Sequence, residues 1–318
     1  MALDRPCTLL EAACFADRLI LALYDQQNAG SLGLLWKAEG NGNTLYLLGS
    51  IHTDRNNLYP FHKQLRDIIT SAELAAFELD FNDQAGLAEF TDMQMYSDGT
   101  TLKDHISSDL YQKVVEALAS LGMPEEQTAM FKPWALANSF TALAAMDETT
   151  SDNAMAIDLY VNAKASNVGV PIAGVETYAF QGGIFEDLSA KYQEDYLALA
   201  LAIFLGDEDG LDEDSLAAIQ NQNTTMDEWM DQWKTRDTQG FANSYPKDEL
   251  MGNDSDELNR KLFEGRDPNM AAWADRYLKQ PGFHTGIMTV GAGHMTGRTG
   301  IVQSLKDLGY AVEVVPVP

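Results

Sequence analysis

Two copies of one tetrapeptide pattern, Gly-x-x-His, contain the residues of this chain that are best suited to chemistry. The first copy runs from Gly49 to His52 and the second from Gly291 to His294, and together they hold two of only five histidines. Imidazole serves as a general base and as a metal ligand near neutral pH. A fold that joins these two distant parts of the sequence would therefore create a single site with two imidazoles.

Each Gly-x-x-His copy follows a short apolar run that is typical of a buried strand. The runs are residues 44–48 and 285–290, and a strand covered on both faces has such a nearly continuous apolar sequence. In open α/β sheets, ligands bind outside the carboxyl ends of the strands, so we expect both histidines in one crevice. The alternative is that each histidine is only a solvated or hydrogen-bonded loop residue.

Two glutamates fall at places where a carboxylate needs a partner. Glu78 lies inside the apolar run 75–79, and Glu176 directly follows the apolar run 170–175. An ionised carboxylate in such surroundings costs several kcal/mol unless it is paired, hydrogen-bonded or bound to a metal. Two histidines and one or two carboxylates at strand ends match a catalytic zinc, cobalt or manganese site that keeps open positions for water.

The ligands predicted for this divalent metal ion are His52, His294 and Glu78. A metal held there would lower the pKa of a bound water toward ~7 and would polarise a carbonyl group, which is the chemistry of a hydrolase. Glu176 is predicted as a further catalytic residue. The sequence contains no His-Glu-x-x-His, no Gly-x-Ser-x-Gly and no phosphate-cradling loop, so zincin, serine-hydrolase and nucleotide-hydrolase interpretations lack support.

The ordered motifs of the chain resemble those of the TraB/GumN family, which includes the Tiki metalloproteases and is distantly similar to erythromycin esterase and the ChaN proteins. The resemblance covers roughly residues 34–315. It rests on Leu35-Trp36-Lys37, Leu45 to His52, Glu78-Leu79-Asp80, Lys132-Pro133-Trp134, Asp158, Gly174-Val175-Glu176-Thr177 with Gln181, Arg266 with Asn269-Met270-Ala271, and Val290 to His294. So many matches in one order argue against chance.

The resemblance implies a metal-dependent hydrolase similar to the Tiki proteases, with a peptide or a small acyl compound as substrate. Two alternatives stay open. Similarity to erythromycin esterase implies a metal-free reaction in which His52 or His294 is the general base and a carboxylate orients it. Other family members are associated with sequestering or shutting down peptide signals, and binding of that kind needs a pocket but no activated water.

Arg266 also matches the family pattern and opens a predicted helix. It is predicted to hold a substrate carboxylate or a catalytic glutamate by bidentate pairing, and a structural salt bridge is the alternative. Asp267 departs from the pattern, which usually has Asn after this Arg, so the role of that position stays open. Three histidines receive no catalytic role, because we expect His62 and His105 to be solvated and His284 precedes a strand at its amino end.

The predicted elements indicate an α/β fold with a central mixed β-sheet flanked by helices, as the resemblance to erythromycin esterase and the ChaN proteins also implies. Strands are predicted at 34–38, 44–48, 74–79, 168–175, 285–290 and 311–315. Large helical insertions are predicted at about 84–165 and 178–280. We expect residues 1–33 to form an N-terminal helical appendage and residues 34–318 to form a single domain.

The charge balance of the chain is strongly acidic. It has 48 Asp and Glu against 21 Lys and Arg, a formal net charge of −27. Such a field repels phosphate backbones, so no nucleic acid is expected as a partner. It would favour cationic or neutral peptides over acidic ones. The alternative is that the acidic surface only keeps the protein soluble.

No apolar run of about 18 residues is present, so no transmembrane segment is expected. The first residues lack the basic start and the apolar core of a signal peptide. The chain as given is expected to be soluble, and because relatives are often exported, an extracytoplasmic location of a longer precursor stays open. Cys7 and Cys14 would lie about 10.5 Å apart in a helix, beyond the ~7 Å limit for a disulfide, so they are expected to be buried or partner-facing thiols. The sequence does not indicate an oligomeric state.

Overall fold

A mixed six-stranded β-sheet forms the centre of the computed structural model, which describes residues 8–51, 58–145, 155–207, 225–245, 247–248 and 256–317. The strands are β1 (Leu35–Gly40), β2 (Asn43–Ser50), β3 (Leu74–Phe77), β4 (Ile172–Gly174), β5 (Thr285–Gly291) and β6 (Ala311–Val314). Their order across the sheet is β4-β3-β5-β2-β1-β6. Strands β4, β3, β5 and β2 are parallel, and β1 is antiparallel to both of its neighbours.

Helices surround this sheet and fill the long segments between its strands. They are α1 (Leu9–Gln26), α2 (Lys63–Ser71), α3 (Gln84–Met93), α4 (Ser108–Ser120), α5 (Glu125–Thr128), α6 (Pro133–Ala145), α7 (Ile157–Asn167), α8 (Tyr178–Glu186), α9 (Ala190–Leu205), α10 (225–235), α11 (Thr238–Ser244), α12 (Glu257–Glu264), α13 (Arg266–Leu278), α14 (Ala292–Met295) and α15 (Ile301–Asp307). The predicted fold class, α/β with a central mixed sheet flanked by helices, is confirmed.

The β1–β2 hairpin follows from its turn sequence. Asn41 and Gly42 both have positive φ angles, 53° and 88°, and two such residues form the turn whose twist matches that of the flanking strands. The turn sets the register in which Leu35 lies opposite Leu48. This hairpin places β1 between β2 and the edge strand β6. The Gly- and Asn-rich loop predicted the hairpin but not the pairing of β1 with β6.

The central strands are apolar throughout because both faces of the sheet are covered. Leu45, Leu47 and Leu48 of β2 are fully buried, as are Ile287 and Met288 of β5. Burying each of these side chains contributes about 1.5–3 kcal/mol to stability. The continuous apolar runs that precede both Gly-x-x-His motifs are therefore explained by their central position in the sheet.

A second hydrophobic cluster lies within the helices that follow α3. Leu136 and Phe140 of α6 pack with Leu197 and Leu201 of α9, and Val114 of α4 belongs to the same cluster. This cluster is separate from the one that surrounds the sheet. It belongs to the segments predicted as helical insertions, and the predicted division of the chain at residue 33 stays a prediction.

Helix α1 exposes most of its apolar side chains. Phe15, Leu19, Ile20 and Leu23 are each about half exposed or more. Cys14 is exposed as well, so of the two expected alternatives, buried or partner-facing, the buried one is wrong for Cys14, and Cys7 lies outside the described residues. Among the described helices, none is long and apolar enough to cross a membrane.

Two of the histidines without a predicted catalytic role have partners in the fold. His62 is buried rather than solvated, because its Nδ1 atom caps α2 by accepting from the backbone N–H of Gln64, at 3.1 Å. Burial accordingly lowers the pKa of His62. His105 stacks on Tyr96, with 4.4 Å between the ring centroids. The expectation that both histidines are simply solvated is therefore wrong for His62.

Candidate active site

The carboxyl ends of β2 and β5 bring the starts of the two Gly-x-x-His motifs to one edge of the sheet. The strands pair in parallel with Ser50 opposite Gly291. A Cβ atom added at Gly49 would lie 3.0 Å from the Cβ atom of Ala292. Glycine at position 49 thus lets β2 pass close to the second motif. His52 itself lies outside the described residues.

Glu78 is the first residue after β3, and its side chain reaches the second motif. Its Oε1 atom accepts a hydrogen bond of 2.8 Å from the backbone N–H of Gly291. Its Oε2 atom accepts one of 3.3 Å from Nε2 of Gln181 and forms an ion pair with Arg266. The carboxylate therefore has the partners that its apolar surroundings require. The strand was predicted to reach residue 79, but it ends at Phe77, which frees Glu78 to turn toward β5.

Arg266 joins Glu78 to Glu176. Its Nε atom lies 3.0 Å from each carboxylate oxygen of Glu176, and its Nη2 atom lies 2.8 Å from Oε2 of the same residue. Burial alone would lower the pKa of Arg266, but the two glutamates outweigh burial and raise it above its usual value. The guanidinium group thus stays charged and holds both glutamates that were predicted as site residues. Its bidentate contact with Glu176 fixes their positions.

His294 lies in the one-turn helix α14, and its ring is oriented by Asp267. The Nδ1 atom is 2.8 Å from Oδ1 of Asp267, and both side chains are buried. An ionised carboxylate can only accept, so this contact assigns a proton to Nδ1, and in the neutral ring the lone pair is then on Nε2. The Nε2 atom is 3.9 Å from Oε1 of Glu78. The ring thus directs its second nitrogen toward the glutamate.

Asp267 has two further partners that hold it in place. Its Oδ2 atom accepts from Oγ1 of Thr299 at 2.8 Å and lies 2.5 Å from Nζ of Lys247. Lys247 also donates to the backbone carbonyls of Gly293 and Thr296, each at 2.9 Å. Burial lowers the pKa of Lys247, and Asp267 acts against that shift. The buried ammonium group therefore connects Asp267 to α14, which contains His294, and to Thr296 directly after it.

The contacts of Asp267 and Lys247 were not predicted from the sequence. Asp267 carried one signal, because it follows Arg266 directly and its residue type departs from the family pattern. Lys247 carried none, since it lies in a short helical segment just after α11 and nothing in the local sequence marks it as buried. Only the folded chain brings this lysine to the second motif.

A cavity of about 230 Å³ lies beside Glu78, at the carboxyl ends of β2, β3 and β5. Its polar wall contains Ser50, Thr289, Gln181 and Asp158, in addition to Glu78. Its apolar wall consists of Phe77, Leu79, Phe81 and Val290. The site therefore combines charged groups with an adjacent space that can accept part of a ligand.

The model of the TraB/PrgY/gumN family matches residues 34–314. The chain belongs to this family. The match includes both Gly-x-x-His motifs, both glutamates and Arg266, and it confirms the resemblance on which the sequence analysis relied. No match is found among curated proteins or among solved structures.

Two of the metal ligands predicted for this TraB/PrgY/gumN protein face each other. Within the described ranges, no three His, Cys, Asp or Glu side chains form a ready metal site, and the third predicted ligand, His52, is outside those ranges. The 3.9 Å between Nε2 of His294 and Oε1 of Glu78 compares with about 3.4 Å for two donors at about 2.1 Å from one tetrahedral ion. The donor types and their spacing fit a divalent cation after a small movement.

The charges of the described site also fit a cation. Three carboxylates, those of Glu78, Glu176 and Asp267, contact two cationic side chains, Arg266 and Lys247. With a neutral His294, these groups leave one negative charge in a mostly buried region. A bound cation would neutralise that charge.

A larger cavity, of about 390 Å³, lies among the inserted helices of this family member. Tyr96, His105, Lys132 and Glu186 belong to its lining, whereas none of the predicted site residues does. Lys132 pairs with Glu186 at 2.6 Å, so the two charges there satisfy each other. The predicted site residue Glu78 lines the smaller cavity instead.

Proposed function

We propose that this TraB/PrgY/gumN protein is a divalent-metal-dependent hydrolase of peptide or related acyl bonds, with His52, His294 and Glu78 as the metal ligands. One observation carries the proposal. The Nε2 atom of His294, which is the unprotonated nitrogen of the neutral ring because Nδ1 donates to Asp267, faces Oε1 of Glu78 at 3.9 Å. Metal-binding histidines commonly have such a carboxylate on their second nitrogen, which fixes the ring and raises its basicity.

The protein groups around this edge have distinct tasks. Arg266 holds Glu78 and Glu176 in place, and the N–H group of Gly291 orients the Oε1 atom of Glu78. Asp267 fixes the ring of His294. A zinc, manganese or cobalt ion bound there supplies an acidic water and polarises the scissile carbonyl. Since the charged groups are held before substrate arrives, little reorganisation is needed during the reaction.

The proposal is tested by assaying cleavage of a peptide library by the full chain with added Zn²⁺, Mn²⁺ or Co²⁺ and with a chelator. We expect at least one metal to give turnover that the chelator abolishes and fresh metal restores. Tight peptide binding without turnover under every metal would instead favour a peptide-binding protein.

The chain offers matched controls for this assay. His284 lies before β5 and binds Glu73 through Nδ1 at 2.8 Å, far along the strand from His294. The variants His284→Ala and Glu73→Gln should leave turnover unchanged, while His294→Ala and Glu78→Gln should remove it. Equal losses in both pairs would return the two site residues to a structural role.

A second candidate is a metal-independent esterase in which His294 is the general base. The contact between His294 and Asp267 favours it, because a carboxylate that orients an imidazole is also the arrangement of a histidine base. Turnover of simple esters that resists chelators but is lost in His294→Ala would select this mechanism. Turnover that requires added metal would exclude it.

A further inference from the structure

The cavity beside Glu78 is lined by two buried hydroxyl groups that lack hydrogen-bond partners among the described residues. Ser50 ends β2 and Thr289 lies in β5, and their side chains line the same cavity. The two residues are only 3% and 1% exposed. Neither hydroxyl oxygen has a hydrogen-bond partner among the residues that the structure describes.

Buried hydroxyl groups without partners are unusual, because they lose their hydrogen bonds to water and gain none in return. Their cost is removed when water or a ligand occupies the adjacent space. Both groups border a cavity of about 230 Å³, which is large enough for a short side chain, so they are placed to bind a polar group that enters this cavity.

The other polar groups of the cavity restrict the chemistry of that ligand. Asp158 and Glu78 also line it, and both are acidic. An anion would be repelled by these carboxylates. A hydroxyl group can accept a hydrogen bond from a donor, and a carboxylate can only accept. The cavity therefore favours a ligand group that donates several hydrogen bonds and carries positive charge.

We propose that this cavity is a substrate subsite for a primary ammonium group, which donates to Ser50 and Thr289 beside the carboxylate of Asp158. An ammonium group donates three hydrogen bonds from one atom and is compact, whereas its alkyl stem can lie against Phe77 and Phe81. The ammonium group belongs either to a lysine side chain or to the amino terminus of a peptide. This inference rests on the proposed function, since it treats the cavity as part of the substrate site.

A binding experiment separates this inference from turnover. Ligand-observed NMR with the full chain compares n-butylammonium, which represents a lysine side chain, and alaninamide, which represents an amino terminus, with the neutral compounds n-pentanol and N-acetylalaninamide. We expect at least one of the two amines to bind at least tenfold more tightly than its neutral counterpart. The stronger amine identifies the source of the ammonium group. Equal binding of amines and neutral compounds would overturn the inference.

Substitutions in the cavity test which groups are responsible. The double variant Ser50→Ala with Thr289→Val should weaken binding of the preferred amine at least tenfold while binding of its neutral counterpart stays the same. Tyr277→Phe is the matched control, because Tyr277 also has a buried hydroxyl without a described partner but lies outside the cavity lining. Amine binding that is unaffected by the double variant would overturn the proposal. If the double variant does not fold, the comparison of amines with neutral compounds on the unaltered chain still decides.

The two hypotheses also fail separately. Amine binding without any peptide cleavage would contradict the hydrolase but keep the ammonium subsite. Cleavage that treats acetylated and free-amine peptides alike, and lysine like norleucine, would keep the hydrolase and contradict the subsite.

Discussion

The two ends of strand β5 each have a histidine bound to a carboxylate, but the surroundings differ. His284, before the strand, lies 2.8 Å from Glu73, and the two side chains are 37% and 55% exposed. His294, after the strand, lies 2.8 Å from Asp267, and those side chains are 6% and 0% exposed. The second nitrogen of His284 is 3.2 Å from the carbonyl oxygen of Pro281, whereas that of His294 faces Glu78. The same contact therefore makes an exposed pair at one end of the strand and a buried pair beside Glu78 at the other.

Both histidines contact a carboxylate through Nδ1, so this contact does not distinguish them. The group that faces Nε2 differs, and we infer that it determines whether the imidazole can act as a base or as a ligand. At His284 a carbonyl oxygen and Glu73 both favour a protonated ring, and the Glu73 hydrogen bond raises the pKa of His284. At His294 the second nitrogen is directed toward a carboxylate that Arg266 already neutralises in part. Only the second arrangement lies next to Glu78, which lines a cavity of about 230 Å³.

The largest expected effect is on catalysis at the carboxyl end of β5. His294→Ala should reduce kcat/KM by about 10³-fold or more, because it removes the proposed ligand or base. His284→Ala should stay within a factor of about two. His52→Ala and Glu78→Gln should resemble His294→Ala, and double variants should lose little more, since the residues act as a unit. Peptide cleavage assays and thermal midpoints measure both properties.

A comparable effect on stability is expected at Asp267. The variant Asp267→Asn keeps an acceptor for His294 but leaves the buried Lys247 without its counter-charge, so the free energy of unfolding should fall by about 3–5 kcal/mol. Chemical denaturation of the variant measures this change. Adding Lys247→Met should recover much of the loss, because the unpaired ammonium group is then gone. If Asp267→Asn is as stable as the original chain, the ion pair between Asp267 and Lys247 does not contribute to the free energy of unfolding.

A smaller effect is expected at Arg266. The variant Arg266→Lys retains the charge but cannot bridge Glu78 and Glu176 with the bidentate geometry of a guanidinium group. We expect kcat to fall about 10–100-fold through misplacement of Glu78. The control is Arg66→Lys, since Arg66 pairs with Asp25 away from the site. A fall in kcat that is no larger than in the control would show that Glu78 and Glu176 do not require the bidentate geometry of a guanidinium group.

The smallest effect is the pH dependence of the exposed pair. Because the pKa of folded His284 is raised, the folded chain binds the extra proton more strongly than the unfolded chain. The stabilisation is complete below the unfolded pKa of about 6.5 and is lost as pH rises through the folded pKa. His284→Gln should remove this fall in the free energy of unfolding with rising pH, and it should not change activity. An unchanged profile would mean that the exposed pair contributes nothing measurable.

The strand ends and the paired motifs could be predicted from the sequence because their signals are local. Apolar runs that end in glycine indicated β2 and β5. Glu78 was noticed because it is a charged residue within the apolar run around β3. The contact between Arg266 and both glutamates agrees with two of the three roles considered for Arg266, a bidentate partner of a catalytic glutamate and a structural salt bridge.

The rest of the site depends on packing between distant segments. Lys247 contacts Asp267 and the carbonyls of Gly293 and Thr296 from a short segment that follows α11. The cavity takes walls from three strands, from Asp158 of α7 and from Gln181 of α8. No local sequence pattern predicts that helices far apart in the chain will cover the same strand ends. The buried lysine and the cavity could therefore be found only in the folded chain.

The central claim, that the carboxyl end of β5 holds a catalytic divalent metal, is tested most directly by metal binding at equilibrium. Dialysis of the full chain and its variants against Zn²⁺, Mn²⁺ and Co²⁺, followed by measurement of bound metal, gives the stoichiometry without a substrate. The account predicts one tightly bound ion in the original chain and in His284→Ala, and its loss in His294→Ala and Glu78→Gln. Metal binding that is the same in all four proteins, or peptide cleavage by metal-free protein, would contradict it.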